Sequence, residues 1–168
     1  WIAPDDQPGG ITFLQGDRVR IVSIIAASSN SGKTTFITKL VSALASRGLR
    51  IAVIKHAPEG FDLDQPGKDS FRFQQAGADT VLLSGPDRLA ILKSLRQELS
   101  LADLTHAAGD VDLVICEGFK KKAINSIEIF RAGVSGERPL CMNDASVRAL
   151  ISDQKFLLSI PQFSMHDH

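Results

Sequence analysis

Apolar residues along this chain fall into short runs that alternate with stretches of helical periodicity. Residues 21–26 form a run of strand length that is apolar except for Ser23 and rich in β-branched residues, which predicts a buried strand. The positions that follow at helical spacing are Phe36, Ile37, Leu40, Val41 and Leu44. They predict an amphipathic helix that ends near Arg47, with Gly48 in the position of a C-terminal stop. Residues 49–55 then predict a second strand.

The same alternation continues through the rest of the chain. A loop rich in Gly, Pro and Asp covers residues 56–67, and a short helix is expected to begin at Asp69 or Ser70 and to stop near Gly77. Residues 97–108 predict a further helix. Strands are predicted at residues 80–83, 89–92, 111–116, 127–130 and 147–151. The run 127–130 alternates apolar and polar residues, so we expect it at an edge of the sheet.

Strands that alternate with helices predict an α/β fold, with a mainly parallel sheet and helices on both faces. A length of 168 residues favours a single domain. We therefore expect one nucleotide-binding domain over residues 20–168. Residues 1–19 are expected to form a tail or an edge strand, since they combine Gly, Pro and Asp with a short apolar run at 11–14. In such folds, ligands bind at the carboxyl ends of the strands.

Charge and cysteine content narrow the classes of function. The 19 Lys and Arg residues balance the 19 Asp and Glu residues, which argues against a nucleic-acid or anionic-membrane partner. The basic run 120–122 is interpreted as a solvated loop. Two cysteines, Cys116 and Cys141, do not make a disulfide framework, and Cys116 is expected to be buried. No apolar stretch reaches membrane-spanning length and no signal peptide opens the chain, so we expect a cytoplasmic protein.

Residues 27–35 carry the most specific chemistry. Their sequence, Ala-Ser-Ser-Asn-Ser-Gly-Lys-Thr-Thr, nearly matches the Walker A pattern G-x-x-x-x-G-K-S/T between a strand and a helix, which indicates a P-loop NTPase type of fold. Lys33 would reach the β- and γ-phosphates, and Thr34 would hold Mg²⁺. Ala27 adds only a methyl group to the pattern, and Asn30 tolerates a positive φ. The predicted phosphate-binding residues are Ser29, Asn30, Ser31, Gly32, Lys33, Thr34 and Thr35.

Four further side chains are expected at strand ends. Glu117 follows a strongly apolar run, as does the acid that orients Mg²⁺ or the attacking water in phosphate-loop proteins. Lys55 would neutralise phosphate charge, or would snorkel off its strand; His56 beside it is interpreted as a surface residue. Asp153 directly follows a strand and is favoured over Asp144 as the carboxylate that accepts the N–H donors of guanine.

The segment 62–70 is dense in charged and turn-forming residues. Asp62 and Asp64 at i and i+2 predict either a mobile segment that faces Mg²⁺ and the γ-phosphate or a capped polar loop. The residues alone leave both interpretations open.

Several segments in this order resemble the MobB-type molybdopterin-guanine dinucleotide biosynthesis adaptor proteins, over roughly residues 20–153. These segments are the phosphate loop, Ile-Lys-His at 54–56, Phe-Asp-Leu-Asp-Gln-Pro-Gly-Lys-Asp-Ser at 61–70, Glu-Gly-Phe-Lys at 117–120, and residues 127–131. The resemblance implies GTP phosphates on the loop and Mg²⁺ near Thr34 and Glu117, with Asp62 and Asp64 as further metal contacts. It also implies a homodimer, formed in part by the strand at 127–130.

The function implied by the resemblance is a GTP-binding protein with weak Mg²⁺-dependent GTPase activity that assists a MobA-type molybdenum cofactor guanylyltransferase. Lys33 and Glu117 are the expected catalytic residues. The sequence offers no obvious strong general base or arginine finger, which favours slow hydrolysis. The alternatives are an ATP-dependent small-molecule kinase or ligase on the same fold, and a binding module that does not hydrolyse nucleotide. Preference for GTP or ATP separates the adaptor from the kinase or ligase.

Overall fold

The computed structural model describes residues 19–61, 64–119 and 125–165. The chain divides into two compact units, one made of residues 1–54 and 110–168 and the other of Lys55–Gly109. Residues 1–18, on which the predicted tail and the strand at 11–14 fall, lie outside the described residues. The division into a tail and a single domain over residues 20–168 stays a prediction.

The first unit contains a mainly parallel sheet of six strands in the order β2-β5-β1-β6-β7-β8. Its strands are β1 (Arg20–Ile25), β2 (Ile51–Lys55, whose last residue belongs to the second unit), β5 (Leu113–Glu117), β6 (Ser126–Phe130), β7 (Val147–Ser152) and β8 (Gln162–Ser164). Strand β1 pairs in parallel with β5 and β6, and β7 pairs in parallel with β6 and β8. The predicted α/β fold class is confirmed.

The helix α1 (Lys33–Ala45) follows β1 and packs on one face of this sheet. Gly48, at φ +83°, donates its N–H to the carbonyl of Ala45 at 2.9 Å, so the predicted stop is confirmed. The core on this face is aliphatic and its members are less than a tenth exposed. They are Ile24, Ala26, Ile37, Ile115, Ile129 and Ile151.

The opposite face of the sheet is buried as well. Ile25, Val114, Phe130 and Leu150 are at most 1% exposed there. Cys116 is fully buried, as predicted, and burial raises the pKa of its thiol to about 11. At neutral pH it is therefore a protonated, small apolar residue of the core.

The prediction of β6 as an edge strand is wrong, because β6 lies between β1 and β7. The polar residue that produced the alternation, Glu128, is 0% exposed. Its carboxylate accepts the backbone N–H groups of Leu140 at 2.8 Å and Cys141 at 2.9 Å. These bonds replace the water that an edge residue would have, and they anchor the 3₁₀ turn Leu140–Met142 beneath the sheet. The edge beside β7 is formed by β8, which the pattern did not predict.

The second unit holds two short helices and a hairpin. They are α2 (Asp69–Gln75), β3 (Thr80–Ser84), β4 (Leu89–Lys93) and α3 (Leu101–Ala107). Both predicted strands are confirmed, but they pair antiparallel in a separate two-stranded sheet. The start of the predicted helix 97–108 is corrected to Leu101, because Ser100 caps it. The Ser100 Oγ accepts the Asp103 N–H at 3.1 Å, and the Asp103 carboxylate accepts the Ser100 N–H at 3.0 Å.

No helix among the residues that the structure describes is long and apolar enough to cross a membrane.

Candidate functional site

The parallel register gathers several predicted site residues along one edge of the sheet. Ile24 of β1 lies beside Glu117 of β5, Ile25 lies beside Glu128 of β6, and Phe130 lies beside Ser152 of β7. The segments that leave β1, β5, β6 and β7 therefore emerge at the same edge. They are the phosphate loop 27–35, Glu117 itself, a turn over residues 131–135, and Asp153.

The phosphate loop is closed by its own side chains. The Lys33 Nζ donates to the Ser28 carbonyl at 3.0 Å and to the Ser31 Oγ at 3.3 Å, and the Ser31 Oγ donates to the same carbonyl at 3.3 Å. Asn30 and Gly32 have φ of +60° and +95°. Asn30 therefore adopts the left-handed conformation that it was expected to tolerate. The lysine is thus held inside the loop before any ligand arrives.

The backbone N–H groups in the first turn of α1 lie next to the same loop, and no side chain caps them. Gly32 at the N-cap has no side chain to accept them, and the first turn of α1 contains no acidic residue. Backbone N–H groups at a helix N-terminus that lack a carboxylate or hydroxyl cap favour an anion. This end of α1 is therefore suited to a phosphate group.

Thr34 and Glu117 meet beside the loop. The Thr34 Oγ1 donates to the Glu117 Oε1 at 3.4 Å, with Thr34 exposed and Glu117 half-buried at the end of β5. One hydroxyl and one carboxylate are hard oxygen donors of the kind that Mg²⁺ uses together with water and phosphate oxygens. The pair therefore fits the predicted magnesium role.

A turn over residues 131–135 connects Asp153 to the phosphate loop. The Asp153 Oδ1 accepts the Ala132 N–H at 2.9 Å, and the Val134 carbonyl accepts the Ser28 hydroxyl at 2.7 Å. The sequence analysis missed this turn and the role of Ser28. The available signal was the glycine at position 133, three residues after a predicted strand; in the structure Gly133 has φ +72°. The predicted contact of Asp153 with the nucleotide base stays a prediction.

The remaining predicted residues belong to the second unit. Lys55 is exposed at the end of β2, and the neighbouring His56 Nε2 lies 2.9 Å from the Glu98 Oε1. The Asp64 Oδ1 accepts the Gln65 N–H at 2.9 Å. The phosphate role of Lys55 and the metal role of Asp64 stay predictions. Asp62 and the basic run 120–122 lie outside the described residues.

Comparison with known proteins extends these observations. The family model of molybdopterin guanine dinucleotide synthesis protein B matches residues 21–153. The molybdopterin-guanine dinucleotide biosynthesis adapter protein of Escherichia coli K12 is 37% identical over 148 residues, covering 84% of this chain and 83% of that protein. The protein of the same name from Haemophilus influenzae is 36% identical over 131 residues, covering 77% of this chain and 72% of that protein.

A solved structure supports the same relationship at the level of the fold. The crystal structure of a molybdopterin-guanine biosynthesis protein B superposes with a TM-score of 0.69 at 28% identity, covering 88% of this chain and 91% of that one. The resemblance inferred from the motifs is confirmed. Since the family model and both relatives span most of the sequence, the chain belongs to the family of molybdopterin guanine dinucleotide synthesis protein B.

Proposed function

We propose that this protein binds GTP and Mg²⁺ at the phosphate loop and has weak GTPase activity. In this proposal it assists a MobA-type guanylyltransferase in making the guanine dinucleotide form of the molybdenum cofactor, in the cytoplasm and as a homodimer. Its family is one of molybdopterin-guanine dinucleotide biosynthesis. The observation that carries the nucleotide part is the placement of Lys33 inside a closed loop, next to the uncapped N-terminus of α1.

The phosphate grip follows from these contacts. Lys33 gives up its bond to the Ser28 carbonyl and donates instead to β- and γ-phosphate oxygens, which are stronger acceptors because they are charged. The loop N–H groups and the first turn of α1 surround the same oxygens. Lys55 adds a further positive charge in this proposal, on the basis of its place at the end of β2.

The metal role falls to Thr34 and Glu117. The Thr34 hydroxyl would ligate Mg²⁺, and Glu117, which lies 3.4 Å from that hydroxyl, would accept hydrogen bonds from metal-bound water, with Asp62 and Asp64 as additional contacts on the basis of the resemblance. Bound Mg²⁺ offsets the charge that develops on phosphate oxygens during transfer. Because the sequence offers no obvious strong general base or arginine finger, we propose slow turnover by the isolated protein.

The homodimer is proposed to form through the β3-β4 hairpin instead of β6, because β6 is paired on both sides. Three large apolar side chains on one face of the hairpin are exposed: Leu82 by 60%, Leu89 by 59% and Ile91 by 58%. A two-stranded sheet with this much uncovered apolar surface is marginally stable alone. A second copy would cover it with the same residues, as in a two-fold symmetric interface.

Replacement of Lys33 by Ala should raise the Kd for GTP by about 100-fold or more, because several charge-assisted hydrogen bonds to phosphate are lost. Calorimetric titration of GTP in the presence of Mg²⁺ measures this. Lys39→Ala, an exposed lysine further along α1, is the matched control and should bind as the native protein does. Native affinity in Lys33→Ala, with an unchanged circular dichroism spectrum, would refute the assignment of the phosphate loop.

Glu117→Gln should lower the steady-state rate of GTP hydrolysis about tenfold or more while changing the Kd for GTP less than about threefold. The reason is that the amide keeps the size of the side chain but loses the charge that orients metal-bound water. Phosphate release measured beside calorimetry separates the two effects, and Glu137→Gln, an exposed carboxylate of the same unit, is the control. Unchanged turnover would mean that Glu117 is only structural.

Leu82→Lys combined with Ile91→Lys should convert the dimer to a monomer in multi-angle light scattering. These residues are register partners on one face of the hairpin, so both charges would be buried in the proposed interface. Leu157→Lys is the control, since Leu157 is fully exposed in the first unit. A double variant that remains dimeric at the native concentration range would contradict an interface at the hairpin.

A further inference from the structure

Three hydrogen bonds, joined by short stretches of backbone, connect Asp153 to the phosphate loop. The Asp153 Oδ1 holds the Ala132 N–H at 2.9 Å, and two residues later the Val134 carbonyl holds the Ser28 hydroxyl at 2.7 Å. The carbonyl of Ser28 in turn accepts the Lys33 Nζ at 3.0 Å. Every link in this chain lies in the first unit.

The turn that carries this chain is internally braced. The Arg131 carbonyl accepts the N–H groups of Val134 at 3.1 Å and Ser135 at 2.9 Å, and the Ser135 hydroxyl accepts the Arg131 N–H at 2.9 Å. Ser135 is only 4% exposed, so these bonds are shielded from water. A braced turn moves as one piece, and a shift at Ala132 is therefore passed to Val134.

We propose that Asp153 is a positioning residue for the phosphate loop, acting through the turn 131–135 and Ser28. The proposal rests on the nucleotide-binding function proposed above and deepens it. It differs from a contact with the base, because a carboxylate that reads guanine directs both oxygens at the N–H donors of the base. Here one oxygen of Asp153 is committed to the backbone of Ala132.

The consequence for Lys33 is geometric. Ser28 is fixed at its hydroxyl by Val134, and its carbonyl is the point where the Lys33 Nζ and the Ser31 hydroxyl converge. Loss of the carboxylate at Asp153 releases the turn, frees Ser28 and leaves the loop around Lys33 without its pre-formed conformation. The loop must then be ordered when phosphate binds, which weakens affinity for any triphosphate, with or without a base.

The test compares GTP with inorganic tripolyphosphate, both with Mg²⁺, by calorimetry and by displacement of a fluorescent GTP analogue. Asp153→Ala should weaken both ligands by the same factor, about fivefold or more. Asp153→Asn keeps an oxygen that accepts the Ala132 N–H, so it should restore native affinity for both. Asp144→Ala is the control, because it removes a carboxylate that accepts the Ser146 N–H at 2.9 Å elsewhere in the same unit.

A double-variant cycle tests the path through Ser28. Ser28→Ala combined with Asp153→Ala should bind GTP within about twofold of Ser28→Ala alone, because both changes break the same chain. Independent, multiplying losses would overturn the coupling.

The other outcomes are distinct. If both Asp153 variants lose affinity for GTP but keep it for tripolyphosphate, Asp153 contacts the base and the positioning role is wrong. If native protein binds GTP and Asp153→Ala binds it equally well, the positioning role fails while the proposed function stands. If native protein binds neither ligand, the proposed function fails and the positioning role falls with it.

Discussion

The parallel pairing of β1 with both β5 and β6 is the constraint on which the site depends. Parallel strands end at the same edge, so the chain segments that leave them are brought together although they are far apart in the sequence. Glu117 stands beside Ile24 because of this register, and the phosphate loop, which begins three residues after Ile24, lies next to it. An antiparallel β5 would have placed Glu117 at the other end of the sheet and separated it from Thr34.

The contacts that hold the site are exchangeable, and this suits a ligand-binding role. The Thr34–Glu117 bond is long, at 3.4 Å, and Thr34 is exposed, so it contributes little and yields readily to a metal ion. Lys33 is bonded to neutral oxygens that charged phosphate oxygens replace at a gain. The sheet that carries the loop differs from the loop, because the side chains on both of its faces are buried. The rigid sheet therefore carries a loop whose polar groups already hold defined positions but make only weak hydrogen bonds to neighbouring residues.

The sequence was sufficient for the parts of the fold that local physics determines. Apolar runs located β1 and β5, helical spacing located α1, and the motif located the loop with its positive φ at Asn30. It was insufficient where a polar residue is satisfied by distant backbone. A glutamate in an alternating strand is expected to face water, which is why β6 was predicted at an edge. In the structure Glu128 is buried and accepts the backbone N–H groups of Leu140 and Cys141. The short β8 carries no distinctive pattern, because three residues are too few for a period.

The candidate site shows the same division. Thr34 and Glu117 were predicted from the motif and from the strand end, and the structure brings them into contact. The link from Ser28 to Val134 spans 106 positions and involves a serine and a backbone carbonyl, neither of which carries a signature. Lys55 was predicted from its place at a strand end, and Asp64 from its spacing to Asp62 together with the resemblance; both lie in the other compact unit. The role of a side chain that acts through backbone groups can be recognised only once the turn that presents those groups is known.

The central claim, a GTP site that serves guanine dinucleotide synthesis, is tested most directly by titrating GTP and ATP into the native protein by calorimetry, with Mg²⁺ and at one fixed salt concentration. The account predicts a preference for GTP of about tenfold or more, which corresponds to roughly 1.4 kcal/mol. Equal affinities, or a preference for ATP, would contradict it and would favour an ATP-dependent kinase or ligase on the same fold.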